Sequence, residues 1–289
     1  MEVTEADRFL NCVMRRSESD SLFRIGVVLA VTVLCPLFVI LICYGWSEEI
    51  TISMEIGIGL LTWTILFYTL YLEVKSVNLH RIRDAEWIGA LASYARSCGH
   101  GSDEMDGFLE SKGMANSGRA MKASKAAFLL LLAFNIFLVL TMRLATIGEE
   151  DSELIVDVMP AVMVVELSVT AAYLFKTVVS HDSVQNEFTS LFVEAMGDVL
   201  DVHEPMRTSL TGSRVRLWPH AVLLVVTLGL YSTFFNLLAV RKMNIHVTTQ
   251  WSYENRLVAA IAKAEGASGI EKDVAGSPKG VKALIGLIQ

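Results

Sequence analysis

Five stretches of the chain are each long and apolar enough to cross a bilayer, and no other feature of the sequence restricts the fold as strongly. They are Phe23 to Trp46, Met54 to Val74, Ala126 to Ile147, Val158 to Val179 and Trp218 to Val240. A hydrocarbon core of about 30 Å takes about 20 apolar residues in helix. Backbone amides that meet no water there must bond within their own helix. The expected fold is therefore all-α: an integral membrane protein with about five transmembrane helices. Composition agrees, since 53% of the residues are hydrophobic and only 19% are charged.

Lys and Arg stay on the cytoplasmic side of a membrane protein, so their distribution sets its orientation. The N-terminal tail carries Arg8, Arg15 and Arg16, whereas the first connection, SEEITIS, carries no base. Lys75 to Lys125 holds eight Lys or Arg, GEEDSELIVD after Ile147 holds none, and Lys176 to Arg216 holds four. Four segments thus alternate cleanly, with a cytoplasmic N-terminus and short acidic loops outside. A simple crossing by the fifth would put Arg241, Lys242 and Arg256 outside. Two readings follow: an external basic tail behind a single span, which is the reading preferred here because about 23 residues are too few for two crossings, or a block broken near Gly229 into a re-entrant pair.

The polar sequence after three of these segments repeats. KSVNLHRIRDAEW (75–87), KTVVSHDSVQNEF (176–188) and RKMNIHVTTQWSY (241–253) align on His80, His181 and His246. Five residues before each histidine stands a base (Lys75, Lys176, Arg241), and three before it an aliphatic side chain (Val77, Val178, Met243). Four after it comes an acid or amide (Asp84, Gln185, Gln250), and seven after it an aromatic (Trp87, Phe188, Tyr253). The third copy departs at one position, where Ser252 replaces Glu86 and Glu187. Larger side chains recur four and eight residues beyond the aromatic, a helical stripe. The repeat reads as a membrane helix, a snorkelling base and then an amphipathic helix whose apolar face lies on the membrane or on a sister helix. The N-terminal EADRFLNCVMRR looks like a truncated copy of the amphipathic part. Histidine with an acid or amide at i+4 puts both on one helical face, so His80, His181 and His246 are also candidate metal ligands, against the plainer account of boundary anchoring.

Within the membrane segments, Glu166 and Asn135 lie at similar depth on either side of a short outer loop, and Asn236 is a polar residue in the fifth segment. An ionisable group at that depth faces protein or water. A hydrogen-bonded clamp between helices and an ion pathway are its two readings. The four cysteines form no CxxC pair, and there is no nucleophile elbow, phosphate loop or dinucleotide fingerprint. No catalytic residue and no cofactor is assigned. A net charge of −7 without a basic tract excludes nucleic acid as a partner.

The expected organisation is an amphipathic tail (1–22), a membrane hairpin with its first amphipathic helix (23–97), and a Gly- and Ser-rich flexible linker (98–125). A second hairpin and helix (126–200), the fifth segment with the third helix (201–266) and a mobile C-terminal tail (267–289) complete it. Gly229, Tyr231, Asn244 and His246, within VTLGLYSTFFNLLAVRKMNIHVTTQWSYENRL (226–257), resemble prokaryotic multi-pass membrane proteins of the domain-of-unknown-function 4234 type. That resemblance implies a membrane fold and carries over no activity. The function expected is a non-enzymatic scaffold in the cell membrane. Its partners would be the lipid bilayer and a protein or second copy bound by the cytoplasmic helices. The alternatives are a small transporter or channel working through Glu166, and a membrane enzyme or metal site using the histidines.

Overall fold

A computed structural model describes residues 4–45, 52–113, 152–208 and 216–265. Every regular element among them is helical. They are α1 (Glu5–Met14), α2 (Arg16–Ser19), α3 (Ile25–Gly45), α4 (Ile52–Ser97), α5 (Asp103–Phe108), α6 (Ser152–Leu200), α7 (Trp218–Val226) and α8 (Tyr231–Ala264). The apolar segment Ala126 to Ile147 with Asn135, and the tail 267–289, lie outside the described residues. Among those described, one helical stretch, Val162–Leu200, is long and apolar enough to cross a membrane, and Ile25–Cys35 is a shorter apolar one.

The junction between apolar segment and polar continuation is not a break. α4 is one helix of 46 residues and α6 one of 49, each roughly 70 Å long at 1.5 Å per residue. Neither Gly nor Pro occurs between Leu60 and Ile88 or between Ala161 and Met196, so the backbone has no reason to leave the helix where the composition turns polar. α4 stops at Gly99, whose φ of +80° suits a residue without Cβ. The His100 amide then closes back on the Ala95 carbonyl at 2.9 Å, the Schellman pattern.

α4, α6 and α8 run side by side in the same direction. Residues at equal offsets from the three histidines meet in layers: the aromatics seven residues on, with Trp87 6.1 Å from Phe188 and 6.4 Å from Tyr253, and the histidines themselves. α3 runs against α8. Asn244 Nδ2 donates to the Phe23 carbonyl at 2.8 Å while the Phe23 amide donates to Asn244 Oδ1 at 3.2 Å, and farther along Thr233 Oγ1 donates to the Thr32 carbonyl at 3.1 Å. The apolar stripes of the long helices are consequently spent on one another. Val77, Val178 and Met243 share one apolar cluster, and Trp87, Leu91, Phe188, Phe192, Tyr253 and Leu257 share another. α1 completes the second cluster, with Phe9 fully buried and 6.5 Å from Trp87.

Two expectations need correction. The stretch after α4 is not open chain as far as it is described. Ser102 caps α5, which passes into a π-helical turn over Leu109–Gly113, and Met105, Phe108 and Leu109 are buried in the cluster around Trp87. The three apolar side chains at helical spacing decide the local structure here, against the Gly and Ser content of the stretch. The second correction concerns Trp218 to Val240, which is not a continuous helix. α7 ends at Val226, Leu228 and Gly229 adopt positive φ, and α8 begins at Tyr231. The chain doubles back there, because His220 of α7 stacks on Phe235 of α8 at 4.3 Å and its Nδ1 lies 2.9 Å from the Tyr231 hydroxyl.

Gly229 has a φ of +89°, and a Cβ there would come within 2.3 Å of Val164 Cγ1 on α6. Gly229→Ala is therefore expected to lower stability by about 2–4 kcal/mol from strain and overlap together, measured by denaturation in detergent. Adding Val164→Ala should restore only part of the loss, since it removes the overlap and leaves the backbone strain.

Candidate functional site

Between the two apolar clusters lies a polar layer built from the repeat. α4 brings His80, Arg83 and Asp84, α6 brings His181, Asp182 and Gln185, and α8 brings His246, Gln250 and Glu254. Because the helices are parallel, the equal spacing in sequence becomes nearness in space. The histidine ring centres are 5.2, 5.2 and 5.3 Å apart. Every one of these side chains is less than a tenth exposed, so water does not compensate their polar atoms and each needs a partner inside.

Asp84 is the hub. It accepts from His181 Nε2 and from the amides of Gln185 and Gln250, and Arg83 Nη2 lies 3.5 Å away. Two further carboxylates hold the other histidines from outside. Asp20, in the turn after α2, lies 3.0 Å from His80 Nδ1 and accepts from Trp251 Nε1 at 2.6 Å. Asp182 lies 2.8 Å from His246 Nδ1 and also accepts from Thr208 Oγ1 and Asn186 Nδ2. Arg83 ties the layer together, reaching Glu254 at 2.8 Å and Asp20 at 3.2 Å.

These contacts decide the charges. Burial pushes the Asp84 carboxyl up, but the neighbouring His80, His181 and Arg83 outweigh it and hold the group well below the usual carboxylate range. Asp20 and Asp182 are likewise held down: burial opposes the charge, and their histidine and hydrogen-bond partners prevail. Burial pushes Glu254 up to about 7 against the pull of Arg83. It also holds His181 below the ordinary imidazole value, with Asp84 acting the other way. Three carboxylates are thus charged inside the layer, with Arg83 as its buried cation and Arg16 at the edge, 4.0 Å from Glu254.

Other positions of the repeat face outward. Lys75, Lys176 and Arg241 are exposed. Glu86 and Glu187 pair outward, Glu86 with Arg15 at 3.0 Å and Glu187 with Lys112 at 2.6 Å. Ser252, which interrupts that position in the third copy, leaves α8 with its carboxylate two residues later, at Glu254, and this shift turns the acid inward. That displacement was the one signal in the sequence for Glu254. Arg83 and Asp182 fall at positions that the copies of the repeat do not share, and Asp20 lies outside every copy.

Higher in the bundle, Glu166 accepts from Trp63 Nε1 at 2.7 Å, and Asn236 Nδ2 donates to Glu73 Oε1 at 3.3 Å; all four side chains are buried. Asn135, the partner expected for Glu166, is outside the described residues, so the clamp that is visible joins α6 to α4. Glu73 stands at the end of an apolar segment, where its sequence position gives no sign of burial.

Comparisons with protein-family models, curated proteins and solved structures found no match.

Removing Arg83 leaves Asp20, Asp84 and Glu254 without their shared cation. Arg83→Met is expected to cost about 3–5 kcal/mol, read from chemical denaturation. Combined with Glu254→Gln, the loss should be smaller than the sum of the two single losses, because both act on one ion pair.

Proposed function

We propose that the chain is a multi-pass membrane protein of the cell membrane acting as a non-enzymatic scaffold: helices that leave the bilayer together and close into a cytoplasmic bundle. The observation that carries this reading is the sealed polar layer. Its side chains are all buried and engaged with one another, an arrangement suited to holding three helices in register and unsuited to meeting a substrate. Because the apolar stripes are buried within the chain, contact with a partner or a second copy falls to the outer charged faces.

Membrane embedding is supported by where apolar surface is exposed among the described residues. Large exposed apolar side chains gather at Leu29 to Leu41, Leu61 to Tyr68, Val165 and Val169, and Trp218 to Phe234, reaching 92% at Leu228. Toward the other end of the long helices the exposed residues are mainly polar or charged, among them Glu86, Arg96, Ser183, Glu187, Ser190, Glu194 and Asp198, with Leu79 and Val199 as apolar exceptions. Patches of this kind in water invite aggregation, whereas lipid covers them at no cost. The doubling back at Gly229 favours the re-entrant reading of the fifth segment. It would let α8 descend alongside α4 and α6, which keeps Arg241, Lys242 and Arg256 on the side with the other basic stretches.

A labelling experiment tests this topology. Cys98 at the end of α4 is exposed, and Lys263→Cys would report the end of α8. In sealed vesicles an impermeant maleimide is expected to reach both from the same face, the cytoplasmic one; labelling from opposite faces would return the fifth segment to a simple crossing. The second reading, an ion or proton pathway, draws on Glu166 and Glu73 buried along the interior above the histidines. Glu166→Gln and Glu73→Gln should leave proton flux in reconstituted vesicles unchanged if the scaffold reading holds, and a severalfold fall in either would favour the pathway.

A further inference from the structure

We propose that His80, His181, His246 and Asp84 bind one divalent transition-metal ion, with zinc the best match, in a tetrahedral site at the centre of the bundle. Donor atoms from these four residues all lie within 4.8 Å of one another. An ion held at ~2.0–2.1 Å by three ring nitrogens in tetrahedral geometry spaces the ring centres about 5 Å apart, and here they stand at 5.2, 5.2 and 5.3 Å.

The hydrogen bonds around the rings point the same way. Asp20 and Asp182 face the Nδ1 atoms of His80 and His246, which fixes the proton on that nitrogen and leaves the Nε2 lone pair free. Those two Nε2 atoms are buried and have no hydrogen-bond partner among the described residues. A carboxylate behind a histidine is the outer arrangement that orients metal-binding imidazoles. Protons are a poorer answer to the same geometry. A protonated Nε2 on His80 would look across 3.7 Å to Asp84 Oδ2, beyond hydrogen-bond reach, and adjacent imidazolium rings would repel. One dication instead satisfies the unused lone pairs, offsets the excess of buried carboxylates over arginines, and joins α4, α6 and α8 at a single point. Nitrogen and oxygen donors in tetrahedral array select zinc among the common ions.

The test uses full-length protein purified in detergent through an affinity tag without histidines. Elemental analysis by mass spectrometry is expected to find one zinc per chain. After stripping with chelator, titration with cobalt(II) should give the intense visible absorption of a tetrahedral centre, saturating at one equivalent. Asp182→Asn should keep the fold and weaken cobalt affinity about 10–100-fold, whereas His80→Gln with His246→Gln should abolish the band. Wild-type protein without stoichiometric metal and without the cobalt band would overturn the proposal, even if the histidine variants fail to fold. Metal retained in the folded double variant would mark an adventitious ion and overturn it equally. Neither result bears on the labelling test of topology, so the site and the scaffold reading can fail separately.

Discussion

A charged carboxylate buried midway along three packed helices is tolerable only if the donors around it are in place, and Asp84 in that position governs the structure. It collects bonds from α6 and α8 at once, and Arg83 beside it reaches α8 and the N-terminal tail. Sliding any helix by one turn would strip these partners from charges that have no water to turn to, a penalty of several kcal/mol for each ion left unpaired. Apolar layers alone do not impose such a penalty, since Leu, Phe and Val exchange contacts easily. The polar layer therefore sets register and direction, and the apolar clusters on either side supply most of the attraction, at about 1.5–3 kcal/mol for each large side chain buried.

Helical class and the position of the apolar segments could be read directly from residue type, because length and hydrophobicity respond to the solvent alone. The shared spacing around the three histidines was legible as well, down to the aromatic and the residue at i+4. Periodicity could not say what the repeated face packs against. An amphipathic stripe looks the same whether it meets lipid, a partner or a sister helix, and only the parallel packing of α4, α6 and α8 turns equal offsets into shared layers. The centre was underestimated for the same reason: Asp20, Arg83, Asp182 and Glu254 belong to it through contacts between helices, and as single residues they resemble solvated boundary charges. The doubling back at Gly229 was visible as an alternative. Only a segment of unusual backbone geometry, with Val164 packed against a position that has no Cβ, distinguishes it from a plain span.

Gly229, Tyr231, Asn244 and His246, the four residues on which the expected family resemblance rested, each have a physical task in this chain. Gly229 makes the turn, Tyr231 packs against His220 across it, Asn244 clamps the start of α3 through Phe23, and His246 enters the polar layer. Together they set where α8 begins, how it lies against α3 and how deep it runs. A helix that starts inside the apolar region and ends among charges links what surrounds the upper bundle to the buried layer below. Structural changes at one end would be felt at the other through rigid helix, since nothing in α8 interrupts it.

Direction and register of the long helices carry the whole account, and a disulfide trap reads both. With the native cysteines replaced by serine, Phe192→Cys on α6 is paired either with Leu257→Cys, at the same offset on α8 and in the same apolar cluster, or with Phe235→Cys, at the opposite offset that antiparallel packing would bring near. Under mild oxidation in membranes, the parallel bundle predicts an intrachain bond for the first pair and none for the second. A bond in the second pair, or in neither while the protein stays folded, would contradict it.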